Sequence, residues 1–127
     1  MLTPICPHTL TLRPLVVPDT SVIEIGIEAR EDAPESRADR VYLTVDVDGF
    51  DPAVTPATGT PVPGGISWNY GTRLLRELFL AKEVIGADIV EVAPVAGSGL
   101  TQYAAAQLCY DMLCYKLLKR DGELSFG

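Results

Sequence analysis

Val41-Tyr42-Leu43-Thr44-Val45-Asp46-Val47-Asp48-Gly49-Phe50-Asp51-Pro52 is the stretch that decides how this 127-residue chain is read. Val41 to Val47 is a nearly continuous apolar run, the pattern of a parallel strand covered on both faces. Residues two apart on a strand point the same way, so Asp46 and Asp48 are expected to leave one face together. They do so at the C-terminal end of the strand, where open α/β sheets place their ligand sites. Two carboxylates fixed side by side repel unless a proton or a cation lies between them. A hard divalent metal satisfies that requirement most simply.

Downstream, prolines at 52, 56, 61 and 63 and glycines at 59, 64 and 65 shape a long loop. Loops of that length in compact domains are uncommon and are often functional. A helix is predicted from about Ser67 to Lys82, with Ser67 as N-cap and Leu74, Leu75, Leu78 and Phe79 as its buried stripe. Val84 to Val92 reads as the next strand. Leu100 to Lys119 reads as a helix with Ala105, Leu108, Cys109, Met112 and Leu113 at helical spacing. Lys116, Lys119 and Arg120 stand at its C-terminal end, where the helix dipole favours cations. Strand, crossover helix and strand form a βαβ unit and imply a parallel sheet.

Upstream the grammar differs. Residues 1–27 carry prolines at 4, 7, 14 and 18 and many β-branched residues. They read as a β-hairpin segment, with strands near 13–17 and 21–27 and a turn at 18–20. Residues 28–40 are charged and small, as in a solvated linker.

At this length the chain is one domain at most. Its net charge of −7 argues against nucleic acid or an anionic membrane and is compatible with a cationic ligand or a metal. Cys6, Cys109 and Cys114 suit neither a zinc site nor a disulfide framework, so reduced thiols and a cytoplasmic location are expected. No apolar run is long enough to span a bilayer, and the proline-broken start lacks the basic region of a signal peptide.

Three readings compete for Asp46-Val47-Asp48-Gly49. A calcium loop of the EF-hand type needs an oxygen ligand at position 5 and glycine at position 6, where Phe50 and Asp51 stand. The first four positions resemble the nucleophile motif of haloacid-dehalogenase-type phosphatases, but Phe50 replaces the next residue and Pro52 opens a different loop. The third reading uses the whole stretch. Leu43 to Pro52, followed by Thr55-Pro56-Ala57-Thr58-Gly59-Thr60-Pro61-Val62-Pro63-Gly64-Gly65, closely resembles the ureohydrolase family, which includes arginase and agmatinase. Ile85-Gly86-Ala87-Asp88-Ile89-Val90-Glu91-Val92-Ala93-Pro94 is similar to the strand that carries that family's substrate-binding glutamate. The resemblance covers about residues 41–119.

It implies an arginase-like three-layer α/β fold, here incomplete, over residues 41–127. It also implies that Asp46 bridges two manganese ions and that Asp48 binds one of them. Glu91 would hold a cationic guanidino substrate, agmatine or arginine, with Thr60 lining the same pocket. Metal-activated water would release urea. The family's four further ligands come from Gly-Gly-x-His and Asp-Ala-His-x-Asp segments, and neither is present; the lone histidine is His8. Manganese binding is therefore expected to be weak or absent, and no catalytic set is complete.

Leu2-Thr3-Pro4-Ile5-Cys6-Pro7-His8-Thr9-Leu10 and Arg13-Pro14-Leu15-Val16-Val17-Pro18-Asp19 resemble a segment of the β-rich C-terminal domain of NAD kinases. That family's Gly-Gly-Asp-Gly phosphate segment is missing, so the resemblance implies no kinase activity. The chain thus reads as a fusion of fragments, 1–27 and 41–127, joined by the 28–40 linker. The expected activity is hydrolysis of linear amidines; the alternative is a non-catalytic structural or interaction module. Uncovered sheet edges and helix faces predict a homo-oligomer or an association-prone chain.

Overall fold

The structure, a computed structural model, describes residues 39–125 in full and the backbone of Thr20–Ile25. The predicted strand near 13–17, most of the NAD-kinase-like segment and nearly all of the linker lie outside the described residues. The predicted strand near 21–27 overlaps β1 (Thr20–Ile25). It is followed by β2 (Arg40–Asp46), a short 3-10 turn (Val47–Gly49), α1 (Trp68–Ala81), β3 (Glu83–Val90) and α2 (Leu100–Arg120).

The described strands form one parallel sheet in the order β1-β2-β3. Thr20 lies opposite Arg40 and Ile25 opposite Val45. On the other side of β2 the pairing shifts once: Val41 faces Val84, but Tyr42 faces Gly86. Ile85 is therefore left outside the pairing, a β-bulge on β3. Gly86 permits it, because a Cβ there would sit 2.8 Å from the ring of Tyr42.

Val41, Leu43 and Val45 are fully buried and join Leu75, Leu78 and Phe79 of α1, Val84, and Leu108 and Met112 of α2 in one core. Phe50 and Ile66 seal the end of that core nearest the loop, where Phe50 also stacks against Trp68 at 6.0 Å. The apolar run of β2 is thus covered chiefly on one face by the described residues; on the other, Thr44 is buried while Tyr42 is partly exposed. α1 begins as its sequence predicts, with the Ser67 hydroxyl accepting from the Tyr70 N–H. Leu75, Leu78 and Phe79 are buried and Leu74 packs at their margin.

α2 differs from expectation. Its buried stripe is Thr101, Ala104, Leu108 and Met112, while Cys109 and Leu113 are exposed and Ala105 is half-buried. The helix is rotated because two lysines anchor it. Lys116 Nζ donates to the Val84 carbonyl, and Lys119 Nζ donates to the carbonyls of Phe79 (2.7 Å), Leu80 (3.0 Å) and Lys82 (2.7 Å). Lys119 thereby satisfies carbonyls at the C-terminal end of α1 that have no partner within the helix.

Candidate functional site

The pair Asp46 and Asp48 is built by a turn, not by strand alternation. β2 ends at Asp46, whose Oδ1 accepts the backbone N–H of Asp48 at 3.0 Å and so caps the 3-10 turn. This is the local bond by which aspartate competes with regular structure. Asp48 lies within the turn and off the strand, which corrects the expectation that both side chains leave one strand face. The two carboxyl groups still meet, because the tight turn folds Asp48 back toward Asp46.

Burial pushes the Asp46 carboxyl up to about 7. The N–H of Asp48 opposes that shift, while the carboxylates of Asp48 and, more weakly, Glu91 reinforce it. No cation among the described residues offsets the cluster: the ion pairs join Arg40 to Glu83, Arg73 to Glu77 and Arg120 to Asp121.

The proline- and glycine-rich loop is tied down at both ends and in the middle. Asp51 accepts the N–H groups of Ala53 (2.9 Å) and Gly64 (3.0 Å), which hold its carboxyl below the usual range. The Asp51 N–H donates to Ile66 O at 3.0 Å, and the Ile66 N–H to Gly49 O at 2.9 Å. Gly65 must be glycine at that crossing, since a Cβ would stand 2.5 Å from the Phe50 carbonyl carbon. Thr55 Oγ1 donates to Val47 O at 2.8 Å. The Ala57 N–H donates to buried Thr101 Oγ1 at 2.8 Å, and Ala57 O accepts from the Ala93 N–H at 3.0 Å. Loop, β3 exit and α2 are thus pinned together.

These ties bring Thr60 to Asp48, with Thr60 Oγ1 donating to Asp48 Oδ2 at 2.7 Å. Glu91, just past β3, has φ 63, the left-handed region that residues with side chains seldom adopt. Its Oε2 lies 3.6 Å from where a Cβ on Gly59 would be, an ordinary contact distance that sets the carboxylate against the loop carrying Thr60. The four residues singled out from the sequence, Asp46, Asp48, Thr60 and Glu91, therefore gather at the C-terminal end of the sheet. Asp51, Thr55 and Thr101, which hold the loop, were not singled out. Asp51-Pro52 carried a turn signal; for Thr55 and Thr101 nothing local distinguished them from surface threonines.

Hard oxygen donors without a cationic partner fit a divalent ion by type. By number they do not complete a site, because among the described residues no group of three or more His, Cys, Asp or Glu could hold a metal.

Fold and cluster together define a parallel-sheet α/β protein with an acidic site at its strand ends. Compared with known proteins, the arginase family profile matches residues 15–114, reaching back through the 28–40 stretch. The chain belongs to the arginase family. It is 47% identical over 76 residues to the N(1)-aminopropylagmatine ureohydrolase of Synechocystis sp., covering 60% of this chain and 25% of that protein. It is 45% identical over 75 residues to the agmatinase of Chromobacterium violaceum, covering 58% and 23%. Among solved structures, a hypothetical agmatinase from Burkholderia thailandensis superposes with a TM-score of 0.60 at 44% identity, covering 65% of this chain and 26% of that one. The arginase of Bacillus caldovelox superposes with a TM-score of 0.55 at 34% identity, covering 60% and 26%. The chain spans about a quarter of the length of these relatives. No described helix is long and apolar enough to cross a membrane.

Proposed function

We propose that this chain carries the substrate-anchoring and partial metal-holding portion of a ureohydrolase acting on linear amidines of the agmatine or arginine type. The observation that carries this reading is the convergence of Asp46, Asp48, Thr60 and Glu91 at one sheet end within a segment that matches the arginase family. Asp46 and Asp48 are the residues that would hold manganese. Bound divalent ions supply a Lewis acid and lower the pKa of water toward neutrality. Thr60 fixes the rotamer of Asp48 through its hydroxyl. Glu91 is close enough to Asp46 to raise its pKa, yet the three acids do not form a metal-holding group. That separation suits Glu91 to a cationic guanidinium, which a carboxylate recognises by charge-assisted hydrogen bonds.

The incomplete donor set also supports a second reading, a module that keeps the fold and weak metal affinity without turnover. With manganese added, the chain alone is expected to release no appreciable urea from agmatine or arginine. Robust release, abolished by Asp46→Asn, would overturn the incomplete-site view. The residue roles are tested by transplanting residues 41–114 into the corresponding segment of the Chromobacterium violaceum agmatinase. Urea release that is lost with Asp46→Asn and with Glu91→Gln is expected. A folded transplant whose activity survives either substitution would refute the assignment.

A further inference from the structure

Glu91 is held where its own backbone does not favour it. Its φ of 63 is strained for a residue with a side chain, and such strain persists only where the surroundings enforce it. Two residues on, the Ala93 N–H ties the chain down by donating to Ala57 O at 3.0 Å. Ala57 is buried and is fixed from its other side, because its own N–H donates to Thr101 Oγ1 at 2.8 Å. Thr101 stands in the first turn of α2 and is fully buried, so its hydroxyl is out of reach of solvent. Two hydrogen bonds in series thus run from α2 through Ala57 to the exit of β3. The loop they fix carries Gly59, against which the Glu91 carboxylate is set, and Thr60, which donates to Asp48.

We propose that Thr101 is a positioning residue for the site: its hydroxyl sets where Glu91 stands relative to the Asp46–Asp48 pair. This rests on the roles proposed above for those acids. Thr101 acts through Ala57 and is not a ligand in its own right. Its shape and its acceptor can be separated. Valine fills the same space and leaves the buried Ala57 N–H without a partner, whereas serine keeps the hydroxyl. With valine, the Ala57 segment must shift to find another acceptor, and the restraint on Glu91 shifts with it. A guanidinium anchored out of line binds and reacts less well.

Two measurements test this and separate it from the reading on which it rests. On the full 127-residue chain, amide hydrogen exchange read by NMR compares wild type, Thr101→Val and Thr101→Ser. In Thr101→Val, Ala57 and Ala93 should lose protection by about tenfold or more and the Glu91 amide resonance should move, while α1 keeps its protection. Serine should restore all three. Protection at Ala93 that survives valine, or that falls throughout the chain, overturns the proposal. In the Chromobacterium violaceum agmatinase carrying residues 41–114, Thr101→Val should raise KM for agmatine about fivefold or more. The manganese concentration for half-activation should stay unchanged, and Thr101→Ser should recover the KM. A fall in kcat at unchanged KM marks a loss of folded enzyme and would refute positioning. A transplant that is inactive with every parent residue in place counts against the proposed function, and exchange in the chain then decides the role of Thr101.

Discussion

Replacing Asp46 by asparagine separates its charge from its capping role. Asparagine keeps an oxygen that accepts the Asp48 N–H, and the two residues cap equally well. What disappears is the titration. The folded Asp46 carboxyl sits at about 7, above its ordinary 3.8. Between those values the folded chain holds a proton that the unfolded chain has lost, so stability falls as pH rises through that window. Below 3.8 both states are protonated and the effect vanishes; above about 7 the penalty is complete. At about 1.36 kcal/mol per pH unit the full shift would be worth roughly 4 kcal/mol. Asp46 is only partly buried, and solvent screening reduces that to about 1 kcal/mol. Urea unfolding without divalent ions, from pH 4 to pH 8, measures it. Asp46→Asn and wild type should coincide near pH 4 and diverge as pH rises, with the variant about 1 kcal/mol more stable at pH 8. Acids elsewhere, Asp51 included, cancel in the difference. Parallel curves, or a variant less stable at pH 8, would refute the reasoning.

Glu91→Asn should relieve a left-handed backbone at a cost-free position for asparagine, adding about 1 kcal/mol of stability, and should also lower the Asp46 pKa in a carboxyl NMR titration. An unchanged Asp46 titration would mean that Glu91 does not face the pair. Gly65→Ala should destabilise by about 2 kcal/mol or more in urea unfolding, because the added Cβ meets backbone that has nowhere to move. Lys119→Met, which keeps the stem and removes the donor, should cost about 1 kcal/mol and increase amide exchange at the end of α1, where three carbonyls lose their partner. Exchange that rises uniformly along the chain would instead point to a global effect.

The elements were legible where one face of a helix or strand was apolar and the other was not. α1 shows this: a serine cap, a single stripe, and the expected ends. α2 has the right ends but a rotated buried face, because both of its sides are apolar and periodicity alone cannot rank them. The lysine anchors that decide the matter reach residues far away in the chain. At the site, residue types and the family resemblance brought out Asp46, Asp48, Thr60 and Glu91. The position of Asp48 off the strand was partly legible, since Asp-x-Asp-Gly favours an Asx-type turn. The left-handed backbone of Glu91 was not, because glutamate has no preference for that region. Thr101 holding Ala57 is a contact across 44 positions and leaves no local trace.

The bulge at Ile85 marks the one place in β3 where chain length is uncoupled from the site. Side chains on a strand alternate with a period of two, so one residue more or less exchanges the faces of everything beyond it. Ile85 is exposed and takes no part in the pairing, so many side chains could stand there. Its removal would close the bulge and leave the later pairs in place, with Gly86 still opposite Tyr42, Ala87 opposite Leu43 and Val90 opposite Asp46. A residue lost from the regular part of β3 is another matter, because it would turn everything beyond it, Glu91 included, to the other face. Position 85 is thus where β3 is expected to tolerate both substitution and a change in length.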